Sequence, residues 1–246
     1  MNSLDFKLEY QMVNCADKKG YPVIVVAAGN STRMCGQNKQ LITLCGVPTI
    51  IHTLLAFERS DFISNIVLVT KKEDILYLQN LADKYLITKL SDIVEGGSNR
   101  QESVVNGLDV IKSAEYVLIH DGARPLVSEQ IIARVCKEIG KADGVICGIP
   151  ITDTLKMTEN GIVKTTVDRN NMISVQTPQA VNYNLYTAAL KSCDYSQLTD
   201  DAAILETMGY TVICVEGEKS NIKITTQEDI ALAEFYLEKR GECECE

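Results

Sequence analysis

From residue 22 onward the chain alternates between two apolar patterns. Val23-Ile24-Val25-Val26-Ala27-Ala28 is a continuous run, rich in β-branched residues, that ends at Gly29. It predicts a strand buried on both faces, as parallel sheets require. Val47, Ile50, Ile51, Leu54 and Leu55 then mark one face of a helix, with Pro48 suited to its first turn. The series continues with a strand at 65–70, a helix at 73–85, a strand at 87–94 and a helix ending at 111. A strand at 116–120, a helix at 129–139 and a strand at 144–149 complete it. This alternation predicts an α/β fold, a Rossmann-like, mostly parallel sheet flanked by helices. Ligands of such sheets bind at the carboxyl ends of the strands, which points to residues 29–39, 97–103 and 121–125.

After Pro150 the pattern changes. Residues 151–178 alternate polar and apolar positions around Asn160-Gly161, a strong hairpin signal. They predict a protruding β-arm with little core of its own, which is expected to pack on a second subunit. Helices at 182–191 and 200–208 and a strand at 211–215 follow, then residues 221–225 and a last helix. Thr225 and Glu228 have the capping-box spacing for that helix, and Asp200-Asp201 reads as an N-cap pair. The expected organisation is an N-terminal extension (1–20), one domain (21–240) that carries the arm, and an acidic tail (241–246).

Composition narrows the function classes. With 46% hydrophobic and 23% charged residues, the chain has enough apolar sequence for a sizeable core. Its 24 Lys+Arg against 33 Asp+Glu leave a net charge of −9, which argues against general nucleic-acid binding. Any phosphate chemistry then needs a local basic cluster. No long apolar run suggests a membrane span, and Met1 to Gly20 lacks the apolar stretch of a signal peptide. A cytoplasmic location is expected. The nine cysteines form no C-x-x-C pair and read as free thiols, with Cys243 and Cys245 in a solvated end.

The loop Ala27-Ala28-Gly29-Asn30-Ser31-Thr32-Arg33, continuing to Lys39, follows the first strand. Small residues let a backbone approach a ligand closely, and consecutive N–H groups cradle phosphate oxygens. Arg33 and Lys39 bring two cations to the same place. The loop is neither a P-loop nor a dinucleotide fingerprint, and by itself it equally describes a β–α turn with two solvated charges.

Five ordered segments make it specific. They are this loop, His120-Asp121-Gly122-Ala123-Arg124-Pro125, Thr166-Val167-Asp168-Arg169-Asn170, Gln176-Thr177-Pro178-Gln179 and Asn221-Ile222-Lys223-Ile224-Thr225. Together they resemble the 2-C-methyl-D-erythritol 4-phosphate cytidylyltransferase family over about residues 22–240. Two positions depart from the family loop: Ser31 stands for a second glycine and Asn38 for a proline.

The resemblance implies transfer of CMP from CTP to a polyol phosphate with release of pyrophosphate, Mg²⁺ as cofactor, and a homodimer formed through the arm. It also implies roles at matching positions. Arg33, Lys39, Arg169 and Lys223 are the expected catalytic cations. Ala27, Ala28, Gly29, Asn30, Gly96, Gly97, Ser103 and Asp121 are expected at the nucleotide, with Asp121 also at the metal. Asp153, Thr154, Arg169 and Lys223 are expected at the acceptor. Arg124 is left between a substrate contact and a carboxylate pair, and Arg100 reads as a helix-start salt bridge. His52 and His120, the only histidines, are expected to be structural or orienting, because a phosphate nucleophile is already ionised at neutral pH. The alternatives are a ribitol-5-phosphate cytidylyltransferase and a non-catalytic nucleotide-binding protein.

Overall fold

The structure, a computed structural model, describes residues 20–29, 40–192, 198 and 200–243. Its central sheet has seven strands, built around β1 (Tyr21–Val26). β4 (Ile63–Thr70) and then β5 (Leu90–Glu95) lie parallel on one side of β1, and β6 (Tyr116–Asp121) lies parallel on the other. The strand order therefore reverses between β1 and β6, and a crevice opens at their carboxyl ends.

Beyond β6 come β10 (Ile173–Asn182), β7 (Gly144–Pro150) and β11 (Val212–Glu216). β10 is antiparallel to both of its neighbours. This corrects the extent of the arm: residues 173–178 belong to the central sheet, and only β8 (Leu155–Glu159) and β9 (Ile162–Val167) form the projecting hairpin. Asn160 and Gly161 make its turn with φ of 50° and 78°, the left-handed pair that a two-residue hairpin loop needs.

Period-two alternation divides β1 between two cores. Val23, Val25 and Ala27 face α1 (Thr49–Glu58), α2 (Ile75–Lys84) and α4 (Glu129–Glu138). Ile24 and Val26 face α3 (Arg100–Val110), α5 (Tyr183–Ser192) and α6 (Ala202–Thr207). The predicted α/β architecture is thus present, with helices on both faces of a mostly parallel sheet.

A third cluster stands apart from the sheet. Leu44 and Leu126 pack with Ile224, Ala233 and Leu237, the last two on α7 (Gln227–Arg240). Leu44 sits in a short hairpin, β2 (Thr43–Leu44) with β3 (Val47–Pro48), that the apolar pattern did not reveal. Pro48 is accordingly the N-cap of α1 rather than a residue of its first turn. The capping box of α7 is Thr226 with Asp229, one residue later than the spacing suggested.

The expected free thiols and solvated tail also need correction. Cys45, in the β2–β3 turn, is disulfide-bonded to Cys243, and the Cα–Cα distance of 5.2 Å suits such a bridge. Cys243 packs against the third cluster. Cys136, Cys147 and Cys214 are free. The N-terminal extension up to residue 19, Cys35 and Cys245 lie outside the described residues.

The bridge spans a sequence separation of 198 residues. Closing so long a loop restricts the unfolded chain and stabilises the fold by about 2–4 kcal/mol. The melting temperature should therefore drop when a reductant is added, and Cys243→Ser should make it insensitive to the reductant.

Candidate active site

A cavity of about 600 Å³ lies over the carboxyl ends of β1, β4, β5 and β6. Ala28 and Gly29 line it just after β1, Gly96 and Gly97 from the turn after β5, Ser103 from α3, Asp121 from β6, and Lys223 from the segment before α7. These are sites that the sequence proposed, brought together from four separate stretches. Ala27 is different. It is buried, its N–H bonds the carbonyl of Val69, and it supports the cavity wall from beneath. Asn30, Arg33 and Lys39 lie outside the described residues.

The glycine turn is shaped by contact. A Cβ on Gly96 would collide with the Cβ of Ala28 and sit 2.9 Å from Ser103 Oγ. Ser103 Oγ in turn accepts the N–H of Gly97 (3.1 Å) and donates to the carbonyl of Asn99 (2.8 Å). Asn99 caps α3 by accepting the N–H of Glu102 at 2.8 Å. Hydrogen bonds from the Ser98 hydroxyl and N–H hold the Glu102 carboxyl below its usual range. The turn is thereby fixed against the helix start.

Asp121 is the electrostatic centre. Its Oδ1 accepts Arg100 Nε at 3.0 Å and its Oδ2 meets Lys223 Nζ at 2.8 Å. Arg124 Nε lies 3.8 Å from the same Oδ2. Burial alone would raise the carboxyl pKa, but the charges of Arg100 and Lys223 overcome it and hold Asp121 well below the carboxylate range. Arg100 also grips Asp201 through Nη1 (3.1 Å) and Nη2 (2.7 Å). Three cations thus share two carboxylates, so the cluster carries an excess positive charge that suits an anionic ligand. Arg124 is mostly structural: buried, it also donates to the carbonyl of Asn221 at 2.8 Å and ties the Lys223 segment to the β6 end.

His120 is fully buried. The N–H of Asp121 donates to Thr177 Oγ1 at 3.1 Å. The Thr177 hydroxyl donates to His120 Nδ1 (3.0 Å), and His120 Nε2–H donates to the carbonyl of Arg124 (3.1 Å). A carbonyl only accepts, which fixes the tautomer. Burial pushes the His120 pKa down to about 3. His120 is therefore a neutral strut that holds both ends of the Asp121–Arg124 turn.

The acceptor-side residues are placed elsewhere. Thr154 and Arg169 line a separate hollow of about 380 Å³ on the arm, and exposed Asp153 precedes them. Arg169 Nη1 bonds the carbonyl of Thr152. One chain does not bring these residues into the cavity of Asp121 and Lys223. Sequence reasoning also missed cavity residues, namely Thr70 and Lys71–Glu73 after β4. Their signal was available, since β4 is the next parallel strand after β1. Asp201, read as half of a cap pair, is spent on Arg100, while Asp200 accepts the N–H of Ala203 at 3.2 Å.

A sequence profile of the 2-C-methyl-D-erythritol 4-phosphate cytidylyltransferase family matches residues 22–239. The chain belongs to this family. It is 44% identical to the 2-C-methyl-D-erythritol 4-phosphate cytidylyltransferase of Clostridium novyi, over 94% of this chain and 99% of that protein. The Bacillus mycoides enzyme of the same name is 40% identical over 88% of this chain and 97% of its own length. The fold is similar to the crystal structure of 4-diphosphocytidyl-2C-methyl-D-erythritol synthase from Anaerococcus prevotii, with a TM-score of 0.80 and 32% identity. That match covers 90% of this chain and 97% of the other. The protein is accordingly a nucleotidyltransferase, and the cavity lies at the switch point of the sheet, where open α/β sheets bind their ligands.

Gly96→Ala should cost about 1–3 kcal/mol of fit in this turn. It should show as a lower unfolding free energy in urea titrations. His120 gives a pH signature. Its folded pKa is depressed, so its contribution is complete above the ordinary pKa of about 6.5 and is lost as pH falls toward 3. Between pH 6 and 4 the unfolding free energy should fall by about 1.4 kcal/mol per pH unit from this group. In urea titrations His120→Gln should lack that slope. Asp121, also depressed, acts only below about pH 4, outside this window.

Proposed function

We propose that the protein transfers CMP from CTP to 2-C-methyl-D-erythritol 4-phosphate and releases pyrophosphate, a step of isoprenoid precursor biosynthesis. The observation that carries this reading is the Asp121 cluster with its excess positive charge at the β1/β6 crevice, in a chain of this family. Both reactants are anions, so their repulsion is a large part of the barrier. Fixed cations that need no reorganisation lower it. Lys223, held at 2.8 Å from Asp121, faces the reacting phosphate. Arg33 and Lys39 supply further charge from the loop after β1. A phosphate oxygen of the acceptor attacks the α-phosphorus in line with the departing pyrophosphate. The attacking oxygen is already ionised, which agrees with the neutral, fully engaged His120.

Mg²⁺ keeps several waters and binds through one or two carboxylates together with substrate phosphates, so a single cavity carboxylate can serve it. Asp121 is the carboxylate that would hold it, and the ion would neutralise phosphate charge.

The arm supports a homodimer. Met157, Ile162, Val163, Met172 and Ile173 on and beside it are exposed apolar residues. Arg169 has no place in its own chain's cavity. In this reading a second copy brings Arg169, Asp153 and Thr154 to the acceptor. None of the described helices is long and apolar enough to cross a membrane, and with this composition the protein acts in the cytoplasm.

Pyrophosphate release with CTP and Mg²⁺ tests the reaction. It should appear with methylerythritol phosphate and not with ribitol 5-phosphate; the reverse would reassign the acceptor. Arg33→Ala, Lys39→Ala and Lys223→Ala should each lower kcat by about 10²-fold or more. Wild-type turnover in all three would sink the proposed site.

A further inference from the structure

Arg100 stands at the first residue of α3 and lines the cavity, and its guanidinium is engaged by two carboxylates. Nη1 and Nη2 form a fork on the two oxygens of Asp201 at 3.1 and 2.7 Å, and Nε is given to Asp121 Oδ1 at 3.0 Å. Asp201 is fully buried and is itself immobilised. Its Oδ1 accepts the Tyr186 hydroxyl at 2.8 Å, and its N–H donates to Gln179 Oε1 at 3.1 Å. Gln179 Oε1 also takes the N–H of Ala202 (3.0 Å), and Gln179 Nε2 donates to Asp200 (2.9 Å). Tyr186 is likewise fully buried. A chain of oriented groups therefore runs from α5 and α6 through Arg100 to one oxygen of Asp121. The other oxygen of Asp121 is left to Lys223.

A surface ion pair at a helix start is worth little, but these groups are not on the surface. A bidentate guanidinium–carboxylate pair fixes direction as well as charge. Arg100 therefore joins two carboxylates, one buried among α5 and α6 and one at the cavity, and any change in its direction is passed to Asp121.

We propose that Arg100 and Asp201 are a positioning pair for the transfer reaction. Asp201 locks the Arg100 guanidinium, Arg100 fixes the plane of the Asp121 carboxylate, and Asp121 so oriented presents Lys223 to the reacting phosphate. The inference rests on the reading that Asp121 and Lys223 act in the reaction. It adds two residues whose part in the reaction runs through Asp121.

A double-mutant cycle tests it. Arg100→Lys keeps the charge and loses the fork. It should lower kcat about tenfold, with the Kd for CTP changed by no more than about twofold. Asp121→Asn should lower kcat further. If Arg100 acts through Asp121, the double variant will match Asp121→Asn alone within about twofold. Should the two losses multiply, Arg100 acts on the ligand directly or through the fold, and the positioning proposal is overturned. Wild-type kcat in Arg100→Lys overturns it as well. Wild-type kcat in Asp121→Asn would instead remove the underlying site reading, and the proposal with it. Tyr186→Phe guards against misfolding of Arg100→Lys. It deletes only the hydroxyl bond to Asp201 on the far side from the cavity. It should lower kcat by a few-fold, and that loss should disappear in the Asp121→Asn background. A loss that persists there would again overturn the proposal.

Discussion

The site depends on one buried carboxylate and the cations that surround it. Asp121 ends the strand on which the sheet order reverses, so the topology alone delivers it to the crevice. Burying its charge without partners would be prohibitive. Arg100 arrives from the third βα crossover, Lys223 and Arg124 from the stretches that close the cavity floor. Each is drawn to the same two oxygens. The fold and the charge arrangement are therefore one problem with one solution: to seat Asp121, the chain must gather the cations that an anionic reaction needs.

The supporting layer around this centre is built from groups that cannot change charge near neutral pH. His120 is held neutral by burial, with both ring nitrogens engaged. Arg100 is held charged by two carboxylates despite its burial. The Tyr186 hydroxyl is kept protonated by burial and by the neighbouring Asp201. Proton traffic is thus excluded from the scaffold of a reaction that has no need of it.

Much of the architecture was legible in the sequence because it is written in local patterns. The apolar run of β1, the helical stripe of α1 and the Asn160-Gly161 turn each carry their signal within a few residues. The failures have physical causes too. β10 follows the arm after a turn at Asn170-Asn171, yet only pairing with β6 and β7 marks it as a strand of the central sheet. The β2–β3 hairpin has two-residue strands, too short to show a period. Within the site, strand-end motifs such as His120-Asp121 announce themselves. The Arg100–Asp201 pair spans 101 residues of sequence, and nothing local distinguishes Asp201 from a helix cap. The Cys45–Cys243 bridge is equally non-local, since each cysteine alone reads as a small apolar residue.

The order of the motifs along the chain bears on how the protein is made. Domains fold during synthesis from the N-terminal side as they emerge. Arg100 and Asp121 leave the ribosome a full hundred residues before Lys223, as their numbering shows. β10 (Ile173–Asn182) emerges between them; until it does, the nascent sheet lacks the strand that covers the outer side of β6 and carries Thr177, the partner of the Asp121 N–H and of His120. A half-made chain consequently exposes a sheet edge next to an incompletely neutralised carboxylate. β10 closes that edge before Lys223 completes the charge cluster, so a nascent molecule covers an aggregation-prone sheet edge before it becomes competent.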